Sequence, residues 1–211
     1  ALPILIGSTF QSEKIKKAIA LLLGDRPIIW ENGIIDLPNV YSVLADEEHG
    51  VAACLELLYS KGRRHPCYVN MNTTPSNLLK LRGFSHVWRE HFPGIEPRII
   101  DVARREDCDE WNTCYDAVKA MFSQPQEIDS IIFSTDQLAN AGMRALQDLG
   151  IRIPEDVAII GIDNSLAAVF PPDDRSEQQD AGAQHHLLQY SASNPQRSDR
   201  IQSADGGLRD H

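Results

Sequence analysis

The chain has 211 residues, of which 20 are lysine or arginine and 30 are aspartate or glutamate, so its formal net charge is −10. This length suffices for one or two domains with a buried core, and an apolar fraction of 42% is ordinary for a globular protein. The acidic balance argues against a chain that grips DNA phosphates by itself, because that requires clustered lysine and arginine. The longest uninterrupted apolar stretch, at 18–23, is too short to span a bilayer.

Short apolar runs typical of β-strands alternate with amphipathic helical patterns up to about residue 170. We predict seven strands, at 3–7, 27–31, 40–44, 66–71, 98–103, 129–134 and 157–162. We predict five helices between them, at about 12–23, 47–60, 75–91, 111–123 and 136–149. The last two strands are almost continuously apolar, as strands covered by helices on both faces must be. This alternation predicts an α/β fold with doubly wound parallel sheets.

The segment 173–211 has a different composition. It is rich in Gln, Ser and Asp, and it contains one aromatic residue, Tyr190, and four branched aliphatic residues. Such a composition cannot bury enough apolar surface to offset the entropy of an ordered chain. We therefore expect this segment to be disordered or loosely attached, and a natural linker would have the same composition.

The cysteines and the opening residues bear on the compartment. The four cysteines have no CxxC spacing, and their density is far below that of disulfide-rich proteins. The chain opens on Ala-Leu-Pro-Ile-Leu-Ile with no basic leader, which is not the pattern of a signal peptide. We expect a reduced, cytoplasmic chain with no membrane partner.

Three ordered blocks of sequence carry a family resemblance. Residues 131–164 read IIFSTDQLANAGMRALQDLGIRIPEDVAIIGIDN, residues 43–64 read VLADEEHGVAACLELLYSKGRR, and residues 80–84 read KLRGF. They closely resemble the effector-binding core of the lactose/galactose repressor (LacI/GalR) family of bacterial transcription regulators. The run that ends in IPEDVAIIGIDN is specific to these regulators, and the resemblance covers about residues 1–172.

The resemblance implies a periplasmic-binding-protein-like core of two α/β lobes with a small effector in the cleft. On that mapping, residues 1–43 are part of an incomplete N-terminal lobe, 44–162 form the C-terminal lobe, and 163–172 return toward the first lobe. The family's DNA-binding headpiece, hinge and first strand–helix units would precede Ala1. The resemblance thus implies a fragment that reaches operator DNA only through a missing headpiece, and a homodimer, as is usual in the family.

The resemblance also offers an explanation of the segment 173–211. After a Pro-Pro pair the family usually continues with an [LM]-T-[ST]-V strand, whereas here Pro171 and Pro172 are followed by DDRSE. Permitted codons for this stretch, read one nucleotide later, give MTAVSNKMLEL, which suits the family. We therefore hypothesise a reading-frame shift near Pro172.

Ligands of open α/β sheets lie outside the carboxyl ends of the strands. The polar residues at those ends are Ser8, Thr9, Asn32, Asn70, Asn72, Asp101, Thr135, Asp136, Asp163 and Asn164. A sugar or polyol needs such hydroxyl, amide and carboxylate groups, because each of its hydroxyls both donates and accepts hydrogen bonds. Trp111 and Trp30 could supply the aromatic faces of the pocket.

The resemblance gives roles to some of these residues. Asp163 matches the family's effector-binding aspartate, although a loop-capping role would also explain it. Lys80 stands where the family usually has an arginine that clamps ligand hydroxyls, and lysine lacks its planar fork. Thr135 stands where the family usually has asparagine, which shortens the reach toward a ligand.

Three further candidates each have an alternative structural role. Asp136 is a good N-cap for the helix that follows it. Asn32 maps near a ligand position of the first lobe but also suits a polar turn, and Trp111 also suits the core of its helix. The predicted ligand-binding residues are Asp163, Lys80, Thr135, Asp136, Asn32 and Trp111.

The chemistry indicated is binding without catalysis. No GxSxG, GxGxxG or GxxxxGK[ST] run exists, and the adjacent His185 and His186 would face apart on regular structure. We therefore predict no enzyme, no cofactor and no metal.

The favoured function is that of an effector-binding core whose sugar-like ligand controls operator binding. The alternative is a periplasmic or extracellular sugar-binding protein of an uptake system, and a small α/β enzyme is a distant third.

Overall fold

The computed structural model describes residues 3–6, 12–31, 37–71, 73–103, 105, 107–165 and 188–190. The strands are β1 (Ile4–Ile6), β2 (Ile28–Glu31), β3 (Val40–Val43), β4 (Pro66–Asn70), β5 (Ile99–Asp101), β6 (Ser130–Phe133), β7 (Ala158–Ile162) and β8 (Leu188–Tyr190). The helices are α1 (Glu13–Leu23), α2 (Glu47–Ser60), α3 (Pro75–His91), α4 (Glu110–Phe122) and α5 (Asp136–Asp148). All seven predicted strands and all five predicted helices are confirmed, with small differences at their ends.

The strands form two separate parallel sheets. The first has the order β1-β2-β3, and the second has the order β5-β4-β6-β7-β8. Every strand pair in both sheets is parallel. Because parallel neighbours need a crossover, the helices lie between successive strands of the chain. The prediction of parallel α/β sheets is confirmed.

Helices cover both faces of the second sheet. Ile131 and Phe133 of β6 belong to a buried cluster with residues of α4 and α5, whereas Ile132 belongs to a second cluster with residues of α2 and α3. Successive residues of a strand point to opposite faces, so a strand with two covered faces must be apolar at every position. Residues 131–133 of β6 and 158–162 of β7 meet that requirement, and the one polar residue of these strands, Ser130, donates its hydroxyl to Asp129.

The start of α5 corrects one expectation. Thr135 is the N-cap, and its hydroxyl accepts a hydrogen bond from the Leu138 amide at 3.3 Å. The prediction that Asp136 caps this helix is wrong. Thr135 is the residue with extended backbone, which aims its side chain at the free amides of the first turn, whereas Asp136 is already helical.

Part of the polar C-terminal segment contributes one element. Leu188–Tyr190 forms β8 and pairs with β7, with Ile160 opposite Leu188 and Ile162 opposite Tyr190. The other residues of 173–211, and 166–172 of the predicted return segment, lie outside the described residues. Within the described ranges, no helix combines the length and apolarity of a membrane span.

Candidate functional site

Polar side chains gather where four neighbouring strands of the second sheet end. Asn70 and Asp101 are the last residues of β4 and β5, Ser134 follows β6, and Asp163 follows β7. These strands are adjacent in the sheet and parallel, so their carboxyl ends share one edge. Asn70 donates from Nδ2 to Asp101 Oδ1 at 3.0 Å, which ties the ends of β4 and β5 together.

A buried lysine from α3 reaches this edge. Lys80 is 3% exposed, and its Nζ donates to the backbone oxygen of Ser134 at 3.0 Å and to Asp163 Oδ1 at 3.1 Å. Glu47 Oε2, from the first turn of α2, lies 3.8 Å from the same nitrogen. A buried ammonium without such partners would cost several kcal/mol. The structure thus brings Lys80 and Asp163, two of the predicted ligand-binding residues, into direct contact.

Asp163 occupies an unusual backbone position. Its φ is 114° and that of Asn164 is 51°, and aspartate and asparagine tolerate positive φ better than most side chains do. The turn redirects the chain as soon as it leaves β7. The side chain of Asp163 is 42% exposed, so its carboxylate contacts Lys80 and also faces solvent.

Asp136 holds the same turn through a hydrogen bond from its backbone. Its Oδ2 accepts a hydrogen bond from the Ser165 amide at 2.6 Å, while its buried Oδ1 has no partner. Burial raises the pKa of Asp136, and the Ser165 amide acts against that shift. A Cβ at Gly161 would lie 2.6 Å from Asp136 Oδ1, so glycine is needed for this close approach. Asp136 therefore serves the exit of β7, in place of the capping role that was predicted.

Buried polar atoms without a hydrogen-bond partner concentrate at this edge. In the described part of the chain they are Tyr68 Oη, Asn70 Oδ1, Trp111 Nε1, Ser134 Oγ, Asp136 Oδ1 and, in α2, Tyr59 Oη. Except for Tyr59, all belong to residues of β4, of the turn after β6, or of the start of α4 or α5. An unpaired buried polar group costs about 1–3 kcal/mol, so such groups are rare in folded proteins. Their concentration indicates a place where a polar ligand supplies the missing partners.

Tyr68, Ser134 and Glu47 belong to this site but were not predicted as ligand-binding residues. Burial raises the pKa of Tyr68, and the nearby negative charges of Glu47 and Asp163 raise it further. Tyr68 lies inside an apolar strand, where its sequence context indicates only a core residue. Ser134 directly follows β6, so the rule of strand ends could have identified it.

The remaining predicted residues have mixed outcomes. Trp111 packs partly buried against the core and stacks on Tyr115, with centroids 5.6 Å apart, so it combines a core role with an unpaired indole N–H. The hydroxyl of Thr135 is engaged as the N-cap. Trp30 is fully buried in β2, which does not suit an aromatic face open to a ligand. Four predicted residues lie outside the described residues, namely Ser8, Thr9, Asn32 and Asn72.

A groove of about 350 Å³ lies to one side of the polar cluster, between β5 and α4. The polar groups that line this groove already have partners. Arg105 pairs with Asp107 and Asp116, and the Thr113 hydroxyl donates to the backbone oxygen of Asp109. We therefore place the candidate site at the cluster around Lys80 and Asp163, and not in the groove.

Metal and thiol chemistry have little support among the described residues. No group of three or more His, Cys, Asp or Glu side chains there could hold a metal ion. Burial raises the pKa of the Cys54, Cys67 and Cys114 thiols to about 12, which keeps them protonated and unreactive at neutral pH.

Comparisons with known proteins agree with this architecture. Residues 55–173 match the model of the periplasmic binding protein-like domain family. An HTH-type transcriptional regulator of Lachnoclostridium phytofermentans is 28% identical over 165 residues, which are 77% of this chain and 48% of that protein. The chain thus spans about half the length of this curated relative.

Two solved structures show the same fold. A LacI transcriptional regulator from a Rhodococcus species aligns with a TM-score of 0.66 at 20% identity, over 80% of this chain and 59% of that one. A LacI family transcriptional regulator from Lactobacillus casei, solved with bound glucose, aligns with a TM-score of 0.62 at 16% identity, over 78% and 60%. The resemblance inferred from the three sequence blocks is confirmed. The chain belongs to the periplasmic binding protein-like domain family.

Proposed function

We propose that this chain binds a small sugar-like effector at the carboxyl edge of the second sheet. In this proposal the bound effector changes how tightly a DNA-binding headpiece, carried elsewhere in the whole protein, binds operator DNA. The observation that carries the proposal is the concentration of unpaired buried polar atoms beside the Lys80–Asp163 pair. Such groups stay unpaired at a cost, which a polar ligand would relieve.

The chemical inventory of the edge supports a ligand rich in hydroxyls. Trp111 offers an N–H donor, Asn70 and Asp136 offer acceptor oxygens, and the hydroxyls of Tyr68 and Ser134 can do either. A sugar hydroxyl also donates and accepts, so it can pair with each kind of group. The bound glucose in the Lactobacillus casei regulator supports the same class of ligand.

The proposed ligand-binding residues are those predicted from the sequence, namely Asp163, Lys80, Thr135, Asp136, Asn32 and Trp111. Within this set the contacts support different tasks. Asp163 is partly exposed and can accept from ligand hydroxyls, whereas the Lys80 ammonium faces Ser134, Asp163 and Glu47 and holds Asp163 in place. Asn32 would act from the first lobe.

A route from binding to regulation follows from the position of Asp163. In our proposal residues 1–43 belong to an incomplete first lobe, 44–162 form the second, and 163–172 lead back. Asp163 would then stand where the chain leaves the second lobe, so a ligand that contacts it would favour one arrangement of the lobes. Coupling of this kind requires different affinities for the two arrangements, typically worth about 1–3 kcal/mol.

The regulator is the better supported of two readings of this core. The matched relatives are transcriptional regulators, and no observation favours the sugar-binding protein of an uptake system. We extend the proposal to a non-catalytic, cytoplasmic homodimer without a cofactor, in which operator DNA is bound by the headpiece. A whole regulator that contacts no operator in the presence or absence of any effector would contradict this extension.

Calorimetric titration of the 211-residue chain with glucose, galactose, sucrose and cellobiose tests the binding proposal. We expect at least one sugar to bind, and Asp163→Asn to weaken its affinity about tenfold, because hydrogen bonds to a charged acceptor are worth about 1.5–3 kcal/mol. Asp116→Asn, which removes an exposed carboxylate that pairs with Arg105, is the matched control and should bind like the unmodified chain. If no sugar binds, or if both variants bind equally well, the proposal fails.

A further inference from the structure

Glu47 is the second carboxylate at the buried ammonium of Lys80. Its Oε2 lies 3.8 Å from Lys80 Nζ, and its Oε1 accepts a hydrogen bond from Ser76 Oγ at 2.9 Å. Its side chain is largely buried. Glu47 is therefore held in a fixed position between α2 and α3, at the edge where the ligand would bind.

The charges at this edge do not cancel. Lys80 contributes one positive charge, and the carboxylates of Glu47 and Asp163 lie within 3.8 Å of it, so the three groups together are net negative. Asp136, which accepts a hydrogen bond from the Ser165 amide just after Asp163, adds a further carboxylate nearby. A partly buried site has a lower effective dielectric constant than bulk water, so these charges act strongly on a charged ligand.

The helix N-termini at this edge do not offset the negative charge. A helix N-terminus normally attracts an anion through its free amides and its dipole. Here Asp46 already accepts from the His49 amide of α2, Asp109 from the Asn112 amide of α4, and Asp136 lies in the first turn of α5. Three of the four helices of the second sheet thus carry a carboxylate where an anionic ligand would bind.

We propose that this site selects effectors that present hydroxyl or protonated amine groups to it and rejects acidic or phosphorylated sugars, with Glu47 as a specificity-determining residue. The inference rests on the proposed function, because it concerns the same site. An anionic group would meet a net negative cluster whose one ammonium is already engaged by two carboxylates. Rejection by unfavourable charge is a common source of specificity.

The first test compares matched ligands on the unmodified 211-residue chain. The probes are glucose, galactose, sucrose and cellobiose, together with glucosamine, gluconate, glucose 6-phosphate, galactose 6-phosphate, sucrose 6-phosphate and cellobionate, titrated by calorimetry. We expect each anionic counterpart to bind at least about tenfold more weakly than its neutral parent, and glucosamine to bind at least as well as glucose. Raising the salt concentration from about 0.05 M to about 0.5 M should narrow the difference.

The second test changes Glu47 and its neighbour. Glu47→Gln keeps an oxygen that can accept from Ser76 but removes the charge, so it should narrow the preference for neutral over anionic sugars by roughly three- to tenfold. Glu48→Gln is the matched control, because it removes a charge one residue away that pairs with the exposed Arg82. It should change the preference less than about twofold.

The outcomes separate the inference from the proposed function. Tighter binding of an anionic sugar overturns the inference while leaving sugar binding intact. An equal change in Glu47→Gln and Glu48→Gln overturns the role of Glu47. If Glu47→Gln fails to fold, the salt dependence of the unmodified chain decides, and a preference that salt does not narrow counts against the inference. Failure of every sugar to bind overturns the proposed function and this inference with it.

Discussion

The two sheets of this chain are built from the same strand–helix units but differ in burial. In the second sheet every residue of β4, β6 and β7 is buried. In the first sheet Ile4 and Ile6 of β1 are mostly exposed, and so are Leu21 and Leu22 of α1. Apolar residues at regular spacing thus have opposite environments in the two regions.

This difference shows that an apolar pattern predicts a strand or a helix, but not whether other parts of the protein pack against it. β6 lies between β4 and β7, with a helical pair on each face, so its apolar residues are enclosed on every side. β1 pairs with β2 alone in the described structure. The first sheet should therefore contribute less to stability than the second, and the following predictions test that comparison.

The largest effect is expected from a matched pair of isoleucine truncations. Ile132→Ala, in the centre of β6, should lower the free energy of unfolding by about 2–5 kcal/mol, because it leaves a cavity in a close-packed core. Ile4→Ala, in β1, should cost less than about 0.5 kcal/mol, because its side chain is already mostly in water. Urea unfolding with unchanged m-values measures both, and equal costs for the two variants would contradict the comparison.

Most of the fold could be predicted from the sequence because its signals are local. Residues 131–133 and 158–162 are apolar at consecutive positions, as expected of strands covered on both faces. Gly150 marks the end of α5 with a φ of 73°. β8 was not predicted, because Leu-Gln-Tyr within a polar segment carries no strand signal and its pairing depends on the open edge of β7.

The site could be predicted only in part. Asp163 and Asp136 follow apolar strands, so the rule of strand ends identifies them. Thr135 and Asp136 are both good N-caps, and composition does not decide which of two adjacent residues takes the extended conformation. Glu47 was missed because an acidic residue in the first turn of a helix is favoured by the dipole alone. Its contact with Lys80 joins residues that are 33 positions apart.

A pair of carboxylates should give opposite pH effects in the two regions. Burial raises the pKa of Asp136 beside the second sheet, whereas the hydrogen bond and charge of Lys16 lower the pKa of Glu13 in α1. A raised folded pKa means that the stability contributed by Asp136 is present below its unfolded pKa and is lost as the pH rises through the folded value. A lowered folded pKa means that the contribution of Glu13 is present above its unfolded pKa and is lost as the pH falls.

The melting temperatures of the unmodified chain, of Asp136→Asn and of Glu13→Gln, recorded between about pH 3 and pH 6, test the direction of each pH effect. The stability of the unmodified chain relative to Asp136→Asn should fall as the pH rises, and its stability relative to Glu13→Gln should rise. The Glu13 effect should be small, because its pair with Lys16 is exposed. If the two differences in melting temperature change in the same direction with pH, the pKa values of Asp136 and Glu13 are not shifted in opposite directions, and the prediction is wrong.

The smallest effect on stability, and the clearest effect on association, is expected at the exposed face of α1. Leu21 and Leu22 are 86% and 81% exposed, and β1 adds the apolar side chains of Ile4 and Ile6 to the same region of the chain. Exposed apolar patches favour association, so the 211-residue chain should form larger species as its concentration rises. The double variant Leu21→Gln, Leu22→Gln should reduce that association while changing the free energy of unfolding by less than about 0.5 kcal/mol. Sedimentation velocity over a concentration series measures the association, and urea unfolding measures the free energy of unfolding. A large loss of stability would mean that these leucines are covered in solution, and the contrast between the two sheets would then be smaller than the exposed fractions indicate.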